Sequence, residues 1–293
     1  MEGSISLARP RPGPAPPPPP LLELRPNLSF AARHALAVAD VREGIGLWRL
    51  IWKLGWFDIL LRYRGSVLGP FWLTLSTAIM IASLGVLYSA LFHVNLRGYL
   101  PFLALSMILW NFIGTLVSEA CTCFMQAEAT IRSMRIPFFV YAGRMLVRNV
   151  LVLAHNLPVI LTVFVIFAIW PGVAGFYVLP AFALWVVDGI AIAFLLGAFC
   201  ARFRDVPPIV ASVMQIGFFV SPIIWEPSIL SARWRPLLPI NPFYTLLEVV
   251  RGPLLGHAPT PVVWLSALGY SALIWAASWL FFVRARHRVA FWI

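Results

Sequence analysis

The stretch VLGPFWLTLSTAIMIASLGVLYSALF, at residues 67–92, contains no charged side chain. At a rise of about 1.5 Å per residue, a helix of this length is more than enough to cross about 30 Å of hydrocarbon. The nearest charged residues, Arg64 and Arg97, flank the stretch on either side. The segment therefore predicts a transmembrane helix, and the chain is expected to be an integral membrane protein.

The composition of the whole chain agrees with this expectation. Of its 293 residues, 61% are hydrophobic and only 11% are charged, whereas a typical soluble domain has about 25% charged residues. The formal net charge is +11. Nucleic-acid-binding proteins are also basic, but they do not separate their arginines by uncharged runs of about twenty residues. No nucleic-acid partner is expected.

Further apolar stretches predict five more spans. The uncharged run 149–187 is too long for a single crossing, and Pro171-Gly172 divides it because both residue types end helices. A proline-rich connection before the last span predicts short re-entrant or interfacial helices. The fold class is thus all-α integral membrane, with a six-span domain at 65–293. The expected spans are 67–92, 100–123, 150–170, 174–200, 206–225 and 261–283.

Two regions precede the spans. Residues 1–31 are rich in proline, which fixes φ and removes a backbone donor, so they predict a disordered leader or, alternatively, a segment that binds a partner groove. Residues 32–64 contain apolar positions at helical spacing, with cations on the opposite face, which is typical of an amphipathic helix in the headgroup plane. The apolar positions are Val41, Ile45, Trp48, Trp52 and Trp56, and the cations are Arg42, Arg49 and Lys53.

The distribution of basic residues predicts the orientation. With six spans, both termini lie on the same side of the membrane. All but four of the 22 lysines and arginines then fall on that side, the exceptions being Arg97, Arg233, Arg235 and Arg251. Because cytoplasmic segments carry the excess of Lys and Arg, both termini are expected to be cytoplasmic.

The chain lacks the sequence features of an ATPase or another enzyme. A phosphate-binding P-loop needs a glycine before its lysine, but Lys53, the only lysine, follows Trp52. No pattern predicts a nucleophile, paired carboxylates or metal ligands, so no catalytic residue, metal or cofactor is expected in this chain. Asp188 is the one acid deep in a span, where it either pairs within the bundle or takes part in transport. The three cysteines are expected to be small apolar fillers: Cys121, Cys123 and Cys200.

Four fragments in order resemble the permease subunits of bacterial ABC exporters for O-antigen, capsule or teichoic-acid polysaccharides. The resemblance covers about residues 40–285 and leaves out the proline-rich leader. The fragments are FDILLRYRGSVLGPFW at 57–72; Glu128, Ile131, Arg132 and Arg135-Ile-Pro137; Arg204-Asp205 with Ser221-Pro222; and Asn241-Pro242-Phe243 with Arg251-Gly252.

The resemblance implies a homodimeric permease of the bacterial inner membrane. Its partners would be a second copy of itself, two cytoplasmic subunits that bind ATP and Mg²⁺, and a lipid-linked polysaccharide. It also implies a cytoplasmic gate loop and a segment that couples to the ATPase, although plain topological anchoring is an alternative for their arginines. The gate loop is Arg62, Tyr63, Arg64, Ser66, Leu68 and Gly69, and the coupling residues are Glu128, Arg132, Arg135 and Pro137.

Aromatic residues near or within the expected spans are candidates for the lining of a polysaccharide channel, because ring faces provide sequence-tolerant contacts with sugars. The alternative is that they form interface belts or face lipid. Trp110 is the strongest candidate, because it is expected at mid-bilayer beside Asn111. The candidates are Tyr88, Trp110, Phe218, Phe219 and Trp225.

Three other functions compete with polysaccharide export. A permease of similar fold could export a small drug or lipid, and only the family resemblance separates these substrates. A membrane glycosyl- or acyltransferase would need acids or histidines clustered at one membrane face, but Glu226, Glu248 and His257 are widely spaced. A membrane protein with a purely structural role would not need so many prolines that interrupt its helices.

Overall fold

The computed structural model describes residues 29–64 and 71–293. Most of the expected leader lies outside these ranges, as do the predicted gate residues Ser66, Leu68 and Gly69. The described residues form ten α-helices, short 3₁₀ turns and no β-strand. The helices are α1 Phe30–Gly46, α2 Trp48–Arg62, α3 Phe71–Phe92, α4 Leu96–Thr122, α5 Glu128–Ser133, α6 Phe138–Phe167, α7 Val178–Arg202, α8 Val206–Val220, α9 Pro242–Leu254 and α10 Pro261–Trp292.

Five helical segments among the described residues are long and apolar enough to cross a membrane, so the chain is an all-α, multi-pass membrane protein. They are Thr74–Phe92, Leu96–Thr122, Phe138–Phe167, Gly172–Arg202 and Pro261–Trp292. The remaining expected span, 206–225, contains α8, an apolar helix of 15 residues. This helix ends before Ser221, whose backbone is extended, as is usual for a residue that precedes proline. The count of six spans stays a prediction.

Several helices extend beyond the apolar stretches that predicted them. α6 begins at Phe138 rather than near 150, and α10 continues to Trp292 rather than ending near 283. The added turns carry arginines, among them Arg144, Arg148 and Arg286. Hydrophobicity marks only the part of a helix that suits hydrocarbon, while backbone hydrogen bonding continues into the polar region. The spans therefore form the middle of longer helices.

The N-terminal amphipathic region forms two helices, α1 and α2, that meet at Leu47, rather than one continuous helix. Glycines allow these helices to approach α6 closely. A Cβ atom added at Gly55 would lie 2.7 Å from Val147 Cγ1, and one at Gly44 would lie 2.5 Å from Phe139 Cβ. The small-residue face is therefore the buried one, and the tryptophan face points away from the bundle, with Trp48 61% exposed.

α4 lies at the centre of the bundle and packs against α3, α6, α7, α8 and α9. The connection that was expected to be re-entrant or interfacial contains α9, which begins after Asn241. The Asn241 side chain accepts hydrogen bonds from the backbone N–H groups of Phe243 and Tyr244, at 2.9 and 3.3 Å. α9 packs among α4, α7 and α10, and Leu247 is fully buried. This short helix is therefore packed within the bundle, and its re-entrant or interfacial position in the membrane stays a prediction.

Candidate functional site

A charged cluster joins α2, α4 and α6 at the end of the bundle where most arginines lie. Arg148 is at its centre, with Nη1 3.0 Å from Asp58 Oδ2 and Nη2 2.7 Å from Glu119 Oε2. The side chains of these three residues are only 10–16% exposed. One arginine thus holds a carboxylate from α2 and another from α4. We name this group the basal cluster: Asp58, Arg62, Glu119, Arg144, Arg148 and Asn149.

The other members complete the hydrogen bonding of the two carboxylates. Arg144 donates to both oxygens of Asp58, from Nε at 2.8 Å and from Nη2 at 2.5 Å. Asn149 Nδ2 donates to Glu119 Oε2 at 2.7 Å, and Arg62 Nη2 donates to Glu119 Oε1 at 3.1 Å. Buried carboxylates are stable only when paired and hydrogen-bonded in this way. The cluster therefore fixes α2 against α4 and α6.

The basal cluster contains the first residue of the predicted gate loop. Arg62 is the last residue of α2, followed by Tyr63 and Arg64, before the part of the chain that the structure does not describe. The sequence analysis gave no partner for Glu119, and it counted Arg144 and Arg148 only among the basic residues that set the orientation. The signal that was available is the i,i+4 spacing of the two arginines, which puts both on one face of α6.

Polar side chains line a narrow cavity between α4 and α6 beside the basal cluster. Asn111 and Thr115 come from α4, and Asn149 and Asn156 come from α6. The Nδ2 atom of Asn156 donates to the Val152 carbonyl, whereas its Oδ1 atom is buried without a partner among the described residues. Asn111 itself is exposed. A polar stripe therefore continues from the basal cluster into the middle of the α4 span.

The predicted coupling residues lie on an exposed segment between α4 and α6. Glu128 and Arg132 form an ion pair of 2.9 Å along α5, and both side chains are about half exposed. Arg132 also donates to the main-chain oxygen of Ile293. Arg135 is exposed, and Pro137 is the N-cap residue of α6. The structure places these residues together and apart from the basal cluster.

Asp40 of α1 attaches the start of α6 to the rest of the bundle. Its carboxylate accepts from the backbone N–H groups of Phe138 and Phe139, at 3.1 and 3.0 Å, and pairs with Arg286 of α10 at 2.8 Å. A carboxylate at a helix N-terminus satisfies otherwise unpaired N–H groups and complements the helix dipole. The segment that holds the predicted coupling residues therefore ends at a fixed point.

Four of the five aromatic candidates lie close together beside the middle of α4. The Trp110 ring centroid is 6.0 Å from that of Phe218, which is 5.2 Å from that of Phe219. Trp225 donates from Nε1 to the Phe219 carbonyl at 3.2 Å. Tyr88 is separate and stacks on Phe92 of α3. The sequence missed Phe243 of α9, whose ring lies 5.3 Å from Trp110.

Residues 49–255, which are most of the chain, match the family profile described as ABC-2 type transporter. The chain belongs to this family. It is 25% identical over 232 residues to an O-antigen export system permease protein, RfbA, from Myxococcus xanthus, covering 76% of this chain and 88% of that protein. It is 17% identical over 191 residues to an O-antigen export system permease protein, RfbA, from Klebsiella pneumoniae, covering 65% of this chain and 74% of that protein. The resemblance identified from the four fragments is confirmed.

In this ABC-2 type transporter protein, Asp188 lies inside the bundle, as a lone acid in a span is expected to. Its Oδ2 atom accepts a hydrogen bond from Ser271 of α10 at 2.6 Å. Its Oδ1 atom is buried without a hydrogen-bond partner in the described part of the chain. Ser271 therefore supplies the partner within the bundle that the sequence left unnamed.

Arg251 of α9 is a further buried ionic centre, which the sequence analysis counted in the charge distribution and in a family fragment without giving it a partner. The residue is 1% exposed. Its guanidinium pairs with Glu248 at 2.5 Å, donates to Ser106 of α4 at 2.8 Å and to the Pro222 carbonyl at 2.5 Å, and lies 4.3 Å above the ring of Phe102. It therefore joins α9 to α4 and to the turn that follows α8.

Replacement of Asp40 by alanine is expected to lower the free energy of unfolding by about 2 kcal/mol, since the α6 N-terminus loses its cap and Arg286 loses its partner. Asp40→Asn, which keeps one acceptor oxygen, is expected to cost about half as much. Thermal unfolding of the purified protein in detergent measures both effects. Glu43→Ala, an exposed change on the same helix, is the matched control. Equal unfolding temperatures for Asp40→Ala and Glu43→Ala would contradict the role of Asp40 as the cap of α6.

Proposed function

We propose that the chain is the membrane subunit of a homodimeric ABC exporter that moves a lipid-linked polysaccharide, of O-antigen or capsule type, from cytoplasm to periplasm. ATP hydrolysis would take place on two separate subunits, which bind ATP and Mg²⁺. The observation that carries the proposal is the match to the ABC-2 family over residues 49–255, together with relatives named O-antigen export permeases.

The proposed orientation puts the basal cluster and both termini on the cytoplasmic side of the bacterial inner membrane. The gathering of arginines at that end supports it through the positive-inside rule. The exposed tryptophan face of α1 and α2 supports a position of these helices in the headgroup region, where tryptophan is enriched. With α8 as the fifth crossing, the plan has six spans.

The coupling mechanism that we infer runs along α6. The segment with the predicted coupling residues ends at Pro137, the N-cap residue of α6, and Arg144 of the basal cluster lies about two turns further along this helix. A force that an ATP-binding subunit applies at Glu128 and Arg132 would therefore reach Asp58 of α2 and Glu119 of α4 as a rigid-body movement. Arg62, at the end of α2, would carry that movement into the gate loop.

The polar stripe on α4 supports a second copy of the chain as a partner. Asn111 and Ser118 are exposed within an apolar span. Polar groups that face hydrocarbon are costly, so this face is expected to line water or polysaccharide in a channel that a second copy completes. The group formed by Trp110, Phe218 and Phe219 would offer ring faces to sugars beside this polar face.

The test is ATP hydrolysis and transport by the chain reconstituted with its ATP-binding partner, with and without lipid-linked glycan. We expect the double variant Glu128→Ala with Arg132→Ala to lose stimulation by glycan and to lower transport at least about tenfold, because each 1.4 kcal/mol of lost coupling energy corresponds to a factor of ten. Glu226→Ala with Arg233→Ala, at the other end of the bundle, is the matched control.

If the double variant at Glu128 and Arg132 keeps stimulation by glycan and normal transport, this segment does not couple the chain to the ATP-binding subunits. Stimulation by a small lipid but not by the glycan would replace the polysaccharide with that substrate. Modification of a lipid-linked sugar by the chain alone would replace the exporter with a transferase.

A further inference from the structure

A groove of about 620 Å³ lies between α3 and α6, on the side of α3 that packs towards the bundle. Ala78 and Ala82 of α3 form one wall, Pro158 and Thr162 of α6 form the other, and Leu100 of α4 contributes near one end. Both helices contain candidate membrane spans. Leu75 and Ile166, which also line the groove, are 47% and 66% exposed, so the groove opens to the outside of the chain at the depth that hydrocarbon occupies.

The groove presents almost no polar surface, although two threonines line it. Thr74 donates its hydroxyl hydrogen to the His155 carbonyl at 2.7 Å, and Thr162 donates to the Pro158 carbonyl at 2.8 Å. Both hydroxyl groups are thus engaged by backbone oxygens. Apolar cavities without polar partners do not hold ordered water, so an apolar occupant is favoured.

Small side chains give the groove its depth, and helix geometry gives it its length. Ala78 and Ala82 are one turn apart on the same face of α3, where larger side chains would fill the space. The lining on α3 extends from Phe71 to Ala82, which is about 16 Å along the helix. This length is close to half the thickness of a hydrocarbon core of about 30 Å, which is the reach of a lipid chain from one leaflet.

We propose that this groove binds an acyl chain of a membrane phospholipid. The acyl chain would enter sideways from the bilayer and fill the space between α3 and α6. It would make dispersion contacts with both helices where they do not reach each other. The proposal rests on the membrane location of the two helices and not on the identity of the exported substrate. A bound acyl chain would hold α3 in a fixed position beside the polar stripe of α4. Without it, α3 packs chiefly on α4 and α6.

The experiment uses the full chain in bilayer nanodiscs that contain a phospholipid with a photoreactive diazirine on its acyl chain, followed by mass-spectrometric mapping of labelled peptides. We expect labelling of residues 71–82 and 158–167 at least fivefold above that of exposed span positions such as Leu87 and Leu273. Ala82→Trp, which fills the groove, should lower this labelling at least fivefold. Ala90→Trp, the same substitution at an exposed position outside the groove, should leave it unchanged.

Three outcomes would overturn the proposal, and the first needs no variant. Labelling spread evenly over all exposed span faces would mean ordinary contact with surrounding lipid. Displacement of the label by lipid-linked glycan, but not by unlabelled phospholipid, would assign the groove to the lipid tail of the cargo. Efficient cross-linking of two Ala82→Cys copies with a short bifunctional reagent would mean that a second chain covers the groove.

Discussion

Arg148→Met is expected to lower the unfolding temperature of the purified protein by roughly 10 °C. The change leaves Asp58 and Glu119 without the cation between them, and both carboxylates are largely buried. Asp58 keeps Arg144 and Glu119 keeps Arg62, but the three charge-assisted hydrogen bonds that Arg148 donates are lost, at a cost of about 3–5 kcal/mol in all. In a protein of this size, each kcal/mol corresponds to about 2–4 °C.

Arg284→Met, a change to an exposed arginine on α10, is the matched control and should shift the unfolding temperature little. A second comparison separates the loss of charge pairing from the loss of packing. Arg148→Lys keeps the charge and much of the packing but cannot donate from a planar fork to both carboxylates, so its loss of stability should be smaller than that of Arg148→Met. If Arg148→Met and Arg284→Met unfold at the same temperature, the basal cluster does not hold α2 against α4 and α6.

Sequence reasoning located the apolar centres of the spans because an uncharged run needs no partner to be recognised. The stretch 67–92 and the break at Pro171-Gly172 are of this kind, and α3 and the end of α6 lie accordingly. The ends of the helices were less accessible. α6 continues from the membrane span back to Phe138 because Asp40, far away in the sequence, caps its first N–H groups. Hydropathy contains no information on that contact.

The candidate site shows the same contrast between local sequence patterns and contacts between distant residues. The family resemblance named Glu128 and Arg132, whose role in coupling stays a prediction. Nothing in the sequence indicated the pairing of Asp58 with Arg144 and Arg148, which depends on how α2 meets α6. That packing is decided by Gly55 against Val147, and thus by the absence of a side chain. The tryptophans, which dominate the pattern of α2, point outward. The most apolar face of a helix in the sequence is therefore not always the face that packs against the bundle.

Arg251→Met is expected to raise the hydrogen-exchange rates of the α9 backbone amides at least about a hundredfold, while those of α4 and α6 change much less. Arg251 is the only residue of α9 whose side chain is hydrogen-bonded to both α4 and the turn after α8 among the described contacts. Its replacement leaves Glu248 without its cation and the Pro222 carbonyl without that donor. If the free energy needed to open α9 locally falls by about 3 kcal/mol, the exchange rates of its amides rise by a factor of this size.

Two comparisons make the α9 prediction specific. Arg233→Met, an exposed arginine in the same connection, is the matched control and should leave the exchange of α9 unchanged. Arg251→Lys keeps the charge but cannot donate from a planar fork to Ser106, Pro222 and Glu248 at once, so its effect should be intermediate. If α9 exchanges equally slowly in Arg251→Met and Arg233→Met, apolar packing of residues such as Leu247 is sufficient to hold α9, and the buried arginine has a role other than attachment.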